Sequence, residues 1–211
     1  MKKIFSLDSL KGGTGKSLVG TAIVDVALSA GKKVLIVEAD MSNPVLGKIY
    51  NDQEIYSTEL LVKEDFIELA TLIKESDAET IVINNAAVHA WEQFGKYIIN
   101  NTGEFGAAEL NVLWVANNEK DVLEKFVDFY EKCPAAKMHF CMNQHFAGRR
   151  GFDLWKNSKI RTKILENGGS ELTFPDIATR VAGEIRNRRL PWSKVEELDF
   201  GDRIEAVEIR N

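Results

Sequence analysis

The chain has 211 residues, 45% of them hydrophobic, and a net charge of −5 at pH 7. That length and content support a substantial core and predict one domain over residues 1–211. No apolar run approaches the roughly eighteen residues of a membrane span, a strand pattern starting by residue 3 leaves no room for a signal peptide, and the net acidity argues against DNA wrapping the whole surface.

Lys3 to Leu7 reads as a short apolar strand, followed by the loop KGGTGK and the segment SLVGTAIVDVALSAG. In that segment Val19, Ala22, Ile23, Val26 and Ala27 recur at helical spacing, and Gly31 suits the helix end. KKVLIVEAD predicts a second strand. Its apolar run VLIV is continuous, as in a parallel strand covered on both faces. DFIELATLIKES predicts a helix with Phe66, Leu69, Ala70 and Ile73 on one side, and TIVIN a further buried strand. Residues 86–108 are ambiguous, read as a helix through WEQFGKYIIN and then a glycine-containing loop. NVLWVAN is a strand, EKDVLEKFVDFYEKC a helix burying Val122, Phe126 and Phe129, and KMHFCMN another strand. Helix is predicted again over LWKNSKIRTKILEN and from Asp176 to Arg188, with ELTF between them as a short edge strand. PWSKVEEL opens on Pro191, whose missing N–H fits a first helical turn. Strands alternating with helices throughout predict a doubly wound, mostly parallel α/β sheet with helices on both faces.

Two cysteines, Cys133 and Cys141, form no disulfide framework and have no metal-ligand spacing, which points to a reducing cytoplasm. Basic residues concentrate between Arg149 and Arg189. Such a stretch is either an ordinary solvated face or a surface for DNA or an acidic partner. His89 and His145 lack ligand partners at useful spacing and read as polar loop or helix residues, while Trp114, Phe126, Phe129 and Trp155 read as core aromatics.

The chemistry gathers in the loops. In Lys11-Gly12-Gly13-Thr14-Gly15-Lys16-Ser17 the glycines allow backbone N–H groups to turn around a phosphate, Lys16 adds positive charge, and the Ser17 hydroxyl can ligate magnesium. Leu18 follows within the first helical turn, whose N-terminus faces the phosphates. The standard pattern would place its first glycine at Leu10, so this is a variant loop, and it leaves Lys11 unexplained. Asp40 ends the VLIV strand at its carboxyl edge, where a carboxylate holds magnesium through water, orients an attacking water, or caps a turn. Glu38, two residues earlier on the same side, is either a base, an aid to Asp40, or a charge tolerated at the strand end. Asn84 ends TIVIN where nucleotide hydrolases of this architecture usually carry a metal-positioning aspartate. Its neutral carbonyl can bond metal-bound water without replacing the charge, so any hydrolysis is expected to be slow or partner-dependent. Asn143 closes KMHFCMN with a donor–acceptor edge that matches adenine N6 and N7, or else forms a turn. Pro175 and Asp176 follow, the first placed to lie against a base and the second suited to a helix N-cap.

Together these residues resemble the deviant Walker A loop of the ParA/MinD group of ATPases, whose early lysine is its signature. The resemblance implies ATP or ADP with Mg2+ as ligands and a nucleotide-dependent homodimer in which Lys11 reaches the phosphates of the other subunit. It also places Asp40 as the water-orienting aspartate, Glu38 in the switch region where an aspartate is expected, Asn143 as the adenine reader, and Phe174-Pro175-Asp176 as the loop beside the base. NNAA departs from the family's Asp-x-Pro. FDLWKNSKIRTKILENGG and ELTFPDIATRVAGEI resemble, more narrowly, the plasmid-stability and mobilisation branch (StbB/TraL/MobD type). That branch implies plasmid partition or conjugative transfer, with a plasmid-encoded DNA-binding or relaxosome protein as partner. Rival readings are a small-molecule ATP-dependent ligase and a nucleotide-binding scaffold without hydrolysis.

Overall fold

The computed structural model describes residues 1–86, 95, 98, 100–105, 108–133 and 136–211. Seven strands form one parallel sheet in the order β3-β2-β4-β1-β5-β6-β7. They are β1 (Lys2–Asp8), β2 (Val34–Glu38), β3 (Glu54–Ser57), β4 (Thr80–Asn84), β5 (Ala108–Ala116), β6 (Lys137–Asn143) and β7 (Ser170–Phe174). The helices are α1 (Lys16–Ser29), α2 (Val45–Ile49), α3 (Lys63–Glu75), α4 (Lys120–Lys132), α5 (Asp153–Lys156), α6 (Lys159–Glu166), α7 (Thr179–Asn187) and α8 (Phe200–Arg210). The first strand in sequence is therefore central, paired with β4 on one side and β5 on the other.

Both faces of the sheet are covered, which explains the unbroken apolar runs of β2 and β4. On one face Leu7, Ile36, Val82, Leu113 and Cys141 pack with Val19, Val24 and Ala27 of α1 and Leu46 of α2. On the other, Ile4, Val37, Ile83, Val112 and Trp114 meet Phe66, Leu69 and Ile73 of α3 and Val122, Phe126 and Phe129 of α4. The Phe140 and Trp155 rings stack there with centroids 3.9 Å apart. A third apolar layer, with Ile177 ahead of α7, Val181 and Ile185 of α7, Trp192 and Val195 of the segment that follows, and Ala206 of α8, packs against Leu18, Ala22 and Phe174.

The sequence pattern missed the orientation of α1. Val26 was expected on the buried stripe and is 71% exposed, whereas Thr21, Val24 and Asp25 are buried. The reason is that the third layer presses on the flank of α1. Trp192 Nε1 donates to Thr21 Oγ1 at 3.0 Å and Ser193 Oγ to Asp25 Oδ1 at 3.0 Å. Burial raises the Asp25 carboxyl above the ordinary carboxylate range, partly offset by the Ser193 donors.

Three boundaries also differ. The helix expected over LWKNSKIRTKILEN is two pieces, α5 and α6, because Ser158 leaves helical geometry and its Oγ caps Arg161 N at 3.3 Å. The helix expected from Asp176 begins at Thr179 with Ala178 at its N-cap, so Asp176 caps no helix. Pro191 precedes a 3-10 turn, Trp192–Glu197, and not an α-helix. The helix expected through WEQFGKYIIN falls mostly outside the described residues, and so does His89.

Candidate nucleotide site

The loop between β1 and α1 lies at the carboxyl end of the central strand, where a doubly wound sheet changes winding direction. Gly15 takes φ +97°, open to glycine at little cost, and a Cβ there would stand 2.5 Å from Asn143 Nδ2. Gly13 has φ +79°. Ser9 Oγ donates to Lys11 O at 2.9 Å, which steadies the front of the turn. The Thr14 side chain is buried, with its hydroxyl 3.4 Å from the same oxygen.

A cleft of about 550 Å3 opens over this loop. One end is lined by Gly12, Gly13, Gly15, Lys16, Ser17, Leu18 and Asp40, the other by Asn143, His145, Phe146, Phe174, Pro175, Ile177 and Arg186. Lys16 is 6% exposed. Burial lowers its pKa, opposed by the negative charges of Asp40 and Asp8. Asp40 Oδ1 accepts from Ser42 Oγ at 2.6 Å and Asn43 N at 3.2 Å, so the carboxylate is fixed beside Lys16 and Ser17.

Four of the expected residues are engaged within the chain. Glu38 is 1% exposed and absent from the cleft lining. Its Oε2 accepts Leu46 N at 3.1 Å and Gly47 N at 3.3 Å, and its Oε1 accepts Asn84 Nδ2 at 2.6 Å. Glu38 thus ties the first turn of α2 to the end of β4. Burial pushes its carboxyl up, and the donors from Asn84 and α2 pull it back. Asn84 is fully buried outside the lining, and among the described residues its Oδ1 accepts no hydrogen bond. Asn143 has both arms engaged within the chain. Its Nδ2 donates to Thr14 O at 2.9 Å, and its Oδ1 accepts His145 N at 3.1 Å. Its amide thus braces the phosphate loop from a position on the cleft lining. Asp176 lies off the lining, with Oδ1 3.0 Å from His145 Nδ1.

Lys11 sits outside the cleft with its Nζ 2.6 Å from Glu119 Oε2 and 2.7 Å from Asp121 Oδ2, at the start of α4. The two carboxylates raise its pKa, and it lowers theirs.

Sequence reasoning passed over Asp8, whose carboxylate is 7% exposed and accepts Ser6 Oγ at 2.9 Å and Asn85 Nδ2 at 3.2 Å. A charged residue at the end of an otherwise apolar strand was the available signal. It also dismissed His145. Among the described residues no three acidic, histidine or cysteine side chains gather into a metal-holding group. Cys133 and Cys141 are both buried, and burial raises the Cys141 thiol to about 12.

No family model matches the chain. A curated relative does: the protein MobD of Acidithiobacillus ferrooxidans is 36% identical over 216 aligned positions, covering 100% of this chain and 94% of that one. The chain belongs to the MobD family. Solved structures give the MobD-like chain the same fold at lower identity. The septum site-determining protein MinD of Pyrococcus horikoshii, complexed with Mg-ADP, matches with a TM-score of 0.61 at 18% identity, over 100% of this chain and 95% of that one. A putative plasmid partition protein of Borrelia burgdorferi, bound to AMPPNP, matches with a TM-score of 0.60 at 15% identity, over 99% and 98%. Among the described residues of this MobD-family chain, no helix is long and apolar enough to cross a membrane.

Proposed function

We propose that residues 1–211 form one nucleotide-binding domain, an ATP-dependent switch that dimerises on nucleotide, hydrolyses slowly, and acts in plasmid partition, stability or conjugative transfer in the cytoplasm. The observation that carries this reading is the meeting of Lys16, Ser17 and Asp40 on one cleft whose other end carries the apolar walls of Phe146, Phe174, Pro175 and Ile177. Phosphates suit the glycine loop and the positive end of α1, and a base suits the walls formed by Phe146, Phe174 and Pro175. The hard oxygens of Ser17 and Asp40, together with the phosphates, fit Mg2+, which keeps several waters and needs no all-protein cage. When bound, the metal would neutralise charge building on the phosphates.

The protein's own contributions divide plainly. Lys16 offsets phosphate charge from within the loop, and Asp40 accepts a hydrogen bond from an attacking water. Lys11, once released from Glu119 and Asp121, supplies charge to the partner subunit's phosphates. Glu38 is read as holding α2, and with it the Asp40 turn, and not as a base. The full burial of Asn84, with its amide on Glu38, favours slow turnover and keeps a non-hydrolysing scaffold as the second reading.

The partner is a plasmid-encoded DNA-binding or relaxosome protein. Direct DNA contact would be weak, because several of the basic residues are paired internally. Arg161 holds Glu171 at 2.7 and 2.9 Å, Arg188 holds Glu184, and Arg180 holds Asp202. Calorimetric titration of the wild type and Lys16→Ala with Mg-ATP tests the binding reading. Micromolar-range binding lost in the variant is expected, and equal affinity in both overturns it.

A further inference from the structure

The sheet face that α1 covers is closed on one flank of that helix and open on the other. Thr21 and Asp25 hold the Trp192–Glu197 turn on the closed flank, through Trp192 Nε1 and Ser193 Oγ. Helical spacing turns Ile23 and Val26 to the opposite flank. There a groove of about 650 Å3 runs beside α1, walled by Phe5, Ile23, Val26, Leu113, Cys141 and Leu172. Val26 is 71% exposed and Leu172 39%. A parallel sheet normally buries both faces, and this strip, among the described residues, is left as an open apolar channel. On its rim Lys32 and Glu79 neutralise each other, whereas Lys3 is exposed and makes no ion pair among the described residues.

The same chain carries the complementary shape. α8 buries Asp202 and Ala206, and on its outer face Phe200 is 71% and Ile204 54% exposed, four residues apart. Glu208 continues that row one turn on, exposed and without an ion pair among the described residues. A helix row that reads apolar, apolar, acidic thus matches an apolar channel with a lysine on its rim. We propose that α8 of one chain lies in the α1 groove of a second copy, with Glu208 against Lys3. A helix satisfies its own backbone groups, so it can cover apolar side chains without burying unpaired N–H or C=O. The groove and α8 also belong to the same side of the sheet, the side of α1. A two-fold axis therefore lets each chain seat its α8 in the other at once, with the contact area doubled. The phosphate loop and Asp40 do not line this groove, so the contact is separate from the nucleotide cleft and does not depend on nucleotide.

The test is sedimentation equilibrium of the full chain without nucleotide, over a range of protein concentrations. The wild type should move from monomer toward dimer as concentration rises. Val26→Asp in the groove and Ile204→Asp on the helix should each weaken this by on the order of tenfold or more, because each buries a carboxylate without a partner. Both positions are exposed, so the variants should fold, which far-ultraviolet circular dichroism checks. A mixture of the two variants should regain part of the association, since one helix and one groove per pair stay intact. Lys3→Glu and Glu208→Lys should each weaken association by roughly two- to fivefold, and the chain carrying both should recover it. A wild type that stays monomeric up to about 0.5 mM overturns the proposal and leaves the groove to a partner of another kind. Loss in Ile204→Asp with wild-type association in Val26→Asp also overturns it, because α8 would then pair with α8. A double charge exchange that restores nothing removes Glu208 and Lys3 from the contact and overturns the stated register.

Discussion

Lys11 shows how far a residue's role depends on its surroundings. The loop does not need it, and in this structure two carboxylates of the α4 start hold it. About half of each of the three side chains is exposed to solvent, so water screens the pair and exchange of partners is inexpensive. A lysine that must leave this contact to serve a second subunit is held back by it to a small degree. Glu119→Gln with Asp121→Asn should therefore raise ATP-dependent dimerisation by roughly two- to fivefold, with unchanged monomer affinity for ATP. Analytical ultracentrifugation with and without ATP measures this. Weaker dimerisation in the double variant would show that the two acids belong to the interface and not to its restraint.

At the scale of elements, legibility followed burial. β2 and β4 were readable because both faces are covered, so every residue in VLIV and in TIVI is apolar or small. β3 was missed because Glu54–Ser57 is an edge strand with exposed ends and no continuous pattern. α2 has five residues between Pro44 and Tyr50 with Gly47 inside, and its stability comes from Glu38 bonding Leu46 N and Gly47 N. No local propensity announces that arrangement. The phosphate loop was readable because its chemistry is local. The brace that Asn143 gives the loop was not, since the carbonyl its Nδ2 reaches lies 129 residues away. The same tertiary logic predicts a sensitive position at the start of β7. A Cβ on Gly169 would meet Met138 O at 2.1 Å and Ile164 Cγ2 at 2.7 Å. A backbone carbonyl inside a sheet cannot step aside, so Gly169→Ala should lower stability by about 2–3 kcal/mol. A urea midpoint unchanged from wild type would contradict the close approach.

For the whole molecule, the cleft joins parts of unequal protection. Its phosphate end rests on central β1, whereas its base end rests on edge strand β7 and the layer of α7 and α8. Amides of β1, β4 and β5 should exchange with solvent only on global opening, and those of α7 earlier. Mg-ATP should slow α7 exchange more than its effect on β1. Hydrogen exchange with mass spectrometry reads this directly, and uniform slowing would mean that the nucleotide does not bridge the two parts.

The central place of β1 also bears on synthesis. The phosphate loop leaves the ribosome well before the strands flanking β1, which end at Asn84 and Ala116, and before Asn143, whose amide braces the loop. These long sequence separations make folding slow to begin. A nascent chain therefore carries its most recognisable motif long before that motif can hold anything, and ligand capture is reserved for a chain translated past β6.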